Sequence, residues 1–186
     1  WVKFSGISWY KNGFYYSRYD APEEGKALTT KNKNHKVYYH TVGTAQSADK
    51  LIFSDTEHPD RNFGVSVTED EEYVILTGSE STSGNSLWVK KASDWEGKEW
   101  QQFVNGFESD YHFVGNDGPN FYVLTNNKAS NQRLLWLKYG QTEEKDWFTL
   151  VSEQKDLMES VEMCSDKFII KYLKDATSKI FVYNKG

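Results

Sequence analysis

The sequence predicts an all-β protein built as a partial β-propeller of about four blades. Each blade is expected to be a four-stranded antiparallel sheet, and the last one to be incomplete. Aromatic residues make up 16% of the chain, and no window of helical length keeps an amphipathic apolar pattern. Four similar stretches, KVYYHT, SLWVKK, LLWLKY and KIFVYN, recur at intervals of 50, 48 and 45 residues. A period in this range is typical of propeller blades. The aligned positions are Tyr38, Trp88, Trp136 and Phe181.

The repeated stretch is expected to be the third strand of each blade, and the second strand precedes it. Four short runs rich in aromatic and β-branched residues stand upstream of the repeated stretches, and polar turn residues precede each of them. They begin at Phe14, Tyr73, Phe121 and Phe168.

The first and fourth strands complete each predicted blade as a meander. An apolar segment lies before each polar turn, and a further β-rich run follows each repeated stretch except the last. The only helical turn that we expect lies within 153–161. First strands are predicted in 4–9, 63–67, 111–114 and 161–164, and fourth strands from Leu51, Trp100 and Trp147.

The blades define one partial propeller domain over residues 1–186, with a polar insert at 19–35 in the first blade. Loops between strands two and three share one face of a propeller with the loops between blades, and all the long loops of this chain belong to those two classes. We therefore expect function on that face, since a rigid scaffold presents functional loops. The alternative is that long loops are simply tolerated there. The blades are predicted at about 1–58, 59–106, 107–154 and 155–186.

Composition excludes several classes of protein. The net charge of −5 provides no basic surface for nucleic acid, and no apolar run is long enough to cross a bilayer. Cys164 is the single cysteine, so no internal disulfide forms, and its apolar strand predicts a buried, inert thiol. Because the chain starts at Trp1, we expect it to be cut from a longer one. These features favour a soluble, bacterial-type protein of the cytoplasm, with the periplasm as the alternative.

No catalytic constellation is recognisable. The chain has no Gly-x-Ser-x-Gly elbow, and its four histidines have no metal-binding spacing. The carboxylate run 69–72 falls at a predicted hairpin tip, where a solvated turn is a better interpretation than a calcium site. We predict no catalytic residue, no metal and no cofactor in this chain.

Several strings resemble the propeller domain of the prolyl oligopeptidase family. They include VKFSGISW, GFYYSRYDAPE and KVYYHTVGTAQSADKLIF, and the pattern YYH-x-x-GT-x-QS-x-D is the most specific. The resemblance runs from Val2 to the end of the chain and covers about the middle half of the family's propeller. It implies a parent with seven blades and an α/β-hydrolase domain that holds a Ser-Asp-His triad. That domain is absent here, so we expect the chain alone to be inactive.

The resemblance also implies substrate-binding residues. Phe4 matches a family phenylalanine that contacts substrate, although packing in the core of strand one is an alternative. The pair Asn62 and Phe63 matches an apolar residue near the same pocket. In the loop after the second strand of blade two, the family has the pattern Arg-Glu-Gly-x. Ser79 replaces the arginine, and Glu80 matches the glutamate. Thr82 takes the place of a small or thiol residue that faces the active site.

The implied parent is a serine endopeptidase that cleaves short peptides after proline, with the propeller gating and lining the substrate cavity. Its implied partners are the catalytic domain of the same chain and proline-containing peptides. The alternatives are a stand-alone module that binds a peptide or protein, and a fragment of oligopeptidase B, a related branch. The unpaired edge predicted at 179–184 suggests a homodimer or larger assembly.

Overall fold

The computed structural model describes residues 1–95 and 99–185, and its strands form four antiparallel sheets. Three sheets have four strands and the last has three, which confirms the predicted all-β, partial-propeller class. Strands follow one another in chain order across each sheet. The strands are β1 (Ile7–Tyr10), β2 (Gly13–Arg18), β3 (Lys36–Thr41), β4 (Lys50–Phe53), β5 (Asn62–Val67), β6 (Tyr73–Ser79), β7 (Ser86–Lys91), β8 (Gln101–Val104), β9 (Tyr111–Asp117), β10 (Asn120–Thr125), β11 (Arg133–Lys138), β12 (Phe148–Val151), β13 (Leu157–Cys164), β14 (Lys167–Lys174) and β15 (Thr177–Asn184).

The chain divides into two compact units. The first contains residues 1–82 and 86–102, and the second contains residues 83–85 and the chain from 103 onward. No helix that is long and apolar enough to span a membrane occurs in residues 1–95 or 99–185.

The core of the first unit is aromatic. Alternate residues of β2 and β3 point the same way, so Tyr15 and Tyr39 are buried together, with their rings 5.1 Å apart. The Tyr39 hydroxyl donates to the Tyr10 carbonyl at 2.8 Å, which satisfies the polar end of a buried ring. Gly13 is required beside them, since a Cβ there would lie 2.1 Å from the His40 carbonyl oxygen. Other members of this core are Val37, Ile52, Phe63, Val74, Leu76 and Ala92.

The core of the second unit combines aliphatic and aromatic side chains. Tyr122 packs edge-to-face on Phe168 with ring centroids 4.8 Å apart. Burying a side chain of this size contributes about 1.5–3 kcal/mol each. The remaining buried members are Leu124, Leu134, Met158, Val161, Ile170 and Tyr172.

Two local predictions were wrong. The region 153–161 holds no helical turn, because β13 begins at Leu157 and pairs with β14 along its length. The short 3-10 helices lie between the third and fourth strands of three sheets instead. Cys164 is exposed rather than buried, because it is the last residue of β13 beside the turn to β14. The 3-10 helices span Gln46–Ala48, Ala92–Asp94 and Glu144–Asp146.

The strand β15 is an edge within the described part of the chain, where it pairs only with β14. Ile180, Phe181 and Val182 on this strand are 67%, 49% and 62% exposed. An exposed apolar edge strand favours pairing with another strand. The predicted self-association through this edge stays a prediction.

Candidate functional site

One end of the first two sheets gathers the predicted site residues. In the first sheet, β2 ends and β3 begins at this end. In the neighbouring sheet, β6 ends and β5 begins there. The connections that emerge here are the insert 19–35, the segment 54–61 and residues 80–82 after β6. We call this region the loop end; it belongs to the first compact unit.

Tyr19 is the centre of the loop end. Its ring is 6% exposed and stacks on His35 with centroids 4.3 Å apart. It also meets Phe4 edge-to-face at 6.5 Å, and its hydroxyl donates to the Asn62 Oδ1. Three segments that are distant in sequence are therefore joined by one side chain. We call Phe4, Tyr19, His35 and Asn62 the Tyr19 network.

Phe4 is exposed on top of this network. It lies before β1, its side chain is 80% exposed, and its φ of 52° is in the left-handed region. The interpretation of Phe4 as strand-one core is therefore wrong. Hydrogen bonds on both sides hold the strained backbone: the Ser17 N–H donates to the Ser5 Oγ at 2.8 Å, and the Tyr19 N–H donates to the Trp1 carbonyl at 3.0 Å. Such a conformation costs about 1–3 kcal/mol and persists only where the surroundings fix it.

His35 ties the network to the second sheet. It is 1% exposed, and its Nδ1 accepts the Phe63 backbone N–H at 2.9 Å, so the neutral ring carries its proton on Nε2. Burial lowers the pKa of His35, although the Lys3 backbone carbonyl opposes this shift. Phe63 itself is 2% exposed, and its ring packs on Phe53 with centroids 4.9 Å apart. The structure thus places the Phe63 ring in the core, whereas its backbone supports the loop end.

Glu80 is held by an arginine that lies next to Asn62. The Arg61 Nε donates to the Glu80 Oε1 at 2.7 Å, and its Nη1 donates to the Asp55 Oδ2 at 2.9 Å. Desolvation pushes the pKa of Asp55 upward, but hydrogen bonds from His58 and Arg61 outweigh it, so the pKa is lowered. Arg61 therefore stays paired with a charged carboxylate near neutral pH, and Glu80 is oriented from one side.

The structure brings some of the predicted residues together and leaves others apart. Phe4 and Asn62 both contact Tyr19. Phe63 joins the network through its backbone N–H, which donates to His35. Glu80 is bonded to Arg61, the residue next to Asn62. Thr82 lies exposed in the turn after β6, outside these contacts. Sequence reasoning missed Tyr19, His35 and Arg61. Their only signal was position, since each lies within one or two residues of a strand end at the loop end.

The loop end offers binding groups rather than a reaction centre. It presents an apolar ring, an amide and an oriented carboxylate on a rigid pair of sheets. Among the described residues, no group of three or more His, Cys, Asp or Glu side chains is placed to hold a metal ion. The Ser17 hydroxyl donates to the Phe63 carbonyl at 2.8 Å, a structural bond that leaves it no general base.

A family model and several curated proteins match this chain. The model of the prolyl oligopeptidase N-terminal β-propeller domain matches residues 1–186. The prolyl endopeptidase of Elizabethkingia meningoseptica is 35% identical over 187 residues, which is 100% of this chain and 26% of that protein. Prolyl oligopeptidase A of Amanita bisporigera is 33% identical and is matched over 99% of this chain and 26% of its own length. The chain thus spans about a quarter of these relatives.

Solved structures agree with the sequence matches. Prolyl oligopeptidase B from Galerina marginata, bound to a 25mer macrocyclization substrate, aligns with a TM-score of 0.90 and 30% identity over 100% of this chain and 26% of its own. Oligopeptidase B from Trypanosoma brucei aligns at 0.77 over 97% of this chain and 25% of its own, but with 17% identity, which is a likeness of fold alone. Because the family model covers every residue, this chain belongs to the prolyl oligopeptidase family and lies within its N-terminal β-propeller domain.

Proposed function

We propose that this chain is part of the propeller of a prolyl endopeptidase, a serine peptidase that hydrolyses short peptides on the carboxyl side of proline. In this proposal the loop end lines the substrate cavity and faces the catalytic domain of the same protein. The observation that carries it is Phe4, an 80% exposed aromatic ring on a strained backbone that Tyr19 and Ser5 hold in place. Strain of this kind at an exposed residue is typical of functional sites.

The loop end would contribute binding energy rather than chemistry. The Phe4 ring provides an apolar surface for proline or another apolar side chain, and burying it would contribute about 1.5–3 kcal/mol. The Asn62 Oδ1 is engaged by Tyr19, so its amide nitrogen is oriented to donate to a peptide carbonyl. Interactions of equal strength in the ground state and the transition state lower KM without raising kcat.

Acylation would occur on a serine of the catalytic domain, with a histidine as base, so residues 1–186 alone would not turn over substrate. The prolyl branch is favoured over oligopeptidase B by the identities in the structural alignments, 30% with prolyl oligopeptidase B against 17% with oligopeptidase B. We also propose that the protein is located in the cytoplasm.

Kinetics of the full-length protein test the proposal. In Phe4→Ala, KM for a fluorogenic proline-containing peptide should rise about tenfold, equivalent to about 1.4 kcal/mol, with kcat within about twofold. Trp9→Ala removes another exposed ring, 60% exposed near the opposite end of β1, and should leave KM unchanged. An unchanged KM in Phe4→Ala would contradict the role of the loop end. Absence of any cleavage after proline by the wild type would overturn the proposed peptidase itself.

A further inference from the structure

Asparagine followed directly by glycine occurs twice in this chain, at Asn12-Gly13 and at Asn105-Gly106. In such a pair the backbone nitrogen of the glycine can attack the side-chain carbonyl carbon of the asparagine, because glycine has no Cβ to hinder the approach. Asparagine is accordingly among the thermolabile residues of proteins. The two pairs are alike in sequence, and both asparagines are exposed, so their surroundings must distinguish them.

The first pair is held in a hairpin. Gly13 is the first residue of β2 and is buried between β1, where it pairs with Tyr10, and β3. The Asn12 carbonyl accepts the Val42 N–H at 3.0 Å, and the Asn12 Oδ1 accepts the Tyr39 hydroxyl at 3.3 Å. Attack by the Gly13 nitrogen would therefore require the ends of three strands to open.

The second pair lies in the connection between β8 and β9. The strand β8 ends at Val104 and β9 begins at Tyr111, so Asn105 and Gly106 belong to no ladder. Within residues 1–95 and 99–185, the Gly106 N–H donates no hydrogen bond. The attacking nitrogen therefore has no bond within the protein to break, in contrast to a nitrogen held in a strand.

The later part of this connection is fixed by neighbouring loops. The Ser109 carbonyl accepts the Asn85 N–H at 3.0 Å, and the Asp110 N–H donates to the Asn126 Oδ1 at 2.8 Å. Gly106 lies upstream of these bonds. A change in backbone length at position 105 would thus act against an anchored segment.

The surroundings of the two glycines also differ in what a side chain would meet. A Cβ at Gly13 would lie 2.1 Å from the His40 carbonyl oxygen, so glycine is required there for the fold. A Cβ at Gly106 would meet side-chain atoms of Glu108, the nearest at 2.4 Å, and Glu108 is exposed. The φ of Gly106 is not in the left-handed region. Alanine at position 106 therefore requires only that the Glu108 side chain move.

We propose that Asn105 is a site of spontaneous modification, whereas the fold protects Asn12. The Gly106 nitrogen loses its proton and forms a bond to the Asn105 Cγ, the Cγ–Nδ2 bond breaks, and ammonia leaves with that proton. The five-membered succinimide that results takes up water and opens to aspartate or to isoaspartate. Water is the only co-reactant, and no oxidant, reductant or metal takes part. This proposal does not depend on the proposed peptidase function.

The modification changes both the charge and the length of the connection. Either product adds a negative charge at position 105, in the same connection as the Glu108 carboxylate. Isoaspartate also adds one carbon to the backbone, because the chain then runs through the former side chain. The added carbon lies just before the anchored residues Ser109 and Asp110.

Peptide mapping of the full-length protein by mass spectrometry measures both asparagines in one sample. After several weeks near neutral pH, the peptide that contains Asn105 should be partly in the acid forms. Its rate should exceed the rate at Asn12 by at least about tenfold, which corresponds to about 1.4 kcal/mol of free energy for opening the hairpin. The rate at Asn105 should rise with pH, because the attacking nitrogen must lose its proton.

Two controls separate the effect of the fold from that of the sequence. In urea, where the hairpin is open, Asn12 should react about as fast as Asn105. Gly106→Ala keeps Asn105 but hinders the attack, so it should slow the reaction at Asn105 and leave Asn12 unchanged. Equal rates at the two asparagines in the folded protein would overturn the proposal, as would the absence of acid forms at Asn105. Both results come from the wild type, so they decide even if Gly106→Ala does not fold.

Discussion

The first compact unit holds two side-chain networks that differ in how they are assembled. The Tyr19 network joins four separate segments through ring contacts and neutral hydrogen bonds, and it holds Phe4 at the surface. The second network, which we call the Asp49 network, consists of Tyr16, His40, Gln46 and Asp49. Three of these four residues come from the single string YYH-x-x-GT-x-QS-x-D, and the Asp49 side chain at its centre is fully buried. The difference shows that a specific sequence string can mark a local polar network, whereas the loop end, the site that we propose for substrate, is assembled from distant residues.

The largest expected effect is a loss of folding stability when the Asp49 network is broken. His40→Ala would leave the buried Asp49 side chain with the Tyr16 hydroxyl as its remaining donor, and removing one partner of a buried acceptor costs about 1–3 kcal/mol. Urea unfolding of the full-length protein measures this loss. His58→Ala removes an exposed histidine from Asp55 and should cost less than about 1 kcal/mol. Equal losses in the two variants would show that Asp49 is not enclosed as described.

A second prediction concerns the pH dependence of the Tyr19 network. The folded state favours neutral His35, so its pKa lies below the unfolded value of about 6.5. Stability is therefore complete above that value and falls as the pH drops below it, by at most about 1.4 kcal/mol per pH unit for one proton. Protonation would also break the bond from the Phe63 N–H to Nδ1.

His35→Asn keeps an acceptor near the Nδ1 position and has no titrating group. Urea unfolding between pH 7 and pH 5 should lose less stability in this variant than in the wild type. His112→Asn, at an exposed position in the second unit, is the matched control and should retain the wild-type slope. A wild-type slope in His35→Asn would contradict the assignment of a buried neutral histidine.

A smaller effect should follow from Tyr19→Phe, which keeps the ring contacts with Phe4 and His35. The variant loses the hydrogen bond to Asn62, worth about 0.5–1.5 kcal/mol. If Asn62 must be oriented for a peptide, KM should rise about two- to fivefold and kcat should stay the same. A reduced kcat with an unchanged KM would place Tyr19 in a different role.

The smallest effect is expected for Glu80→Gln. Glu80 is 44% exposed, and Arg61 keeps its bond to Asp55, so stability should change by less than about 1 kcal/mol. A change in KM of about twofold or less would indicate that the carboxylate only flanks the cavity. A tenfold rise would instead make Glu80 a direct substrate contact.

The strands could be predicted because each is local and repeated, but their ends could not. The ladder of β1 stops at Ile7, which lies opposite Tyr16, so Phe4 falls outside the strand although the predicted first strand, 4–9, included it. The helical turn expected in 153–161 was overridden by pairing with β14, a contact that periodicity does not report. Cys164 sits on an apolar strand, yet the nearby turn leaves it exposed.

The candidate site was predicted only in part for a related reason. The resemblance implied individual residues but not the groups that connect them. The implied residues are Phe4, Asn62, Phe63, Glu80 and Thr82. Tyr19 reaches Asn62 across 43 positions, and His35 reaches Phe63 across 28. Such pairs follow from the packing of two sheets and leave no local pattern, whereas His40 and Asp49 are only nine positions apart.

Photo-crosslinking tests most directly whether the loop end contacts substrate. The full-length protein would carry p-benzoylphenylalanine at position 4 or, as the control, at position 9, and would be irradiated with a proline-containing peptide. Mass spectrometry should find the peptide attached at position 4 and not at position 9, with attachment suppressed by excess unlabelled peptide. No attachment at position 4, or equal attachment at both positions, would contradict a substrate-facing role for the Tyr19 network.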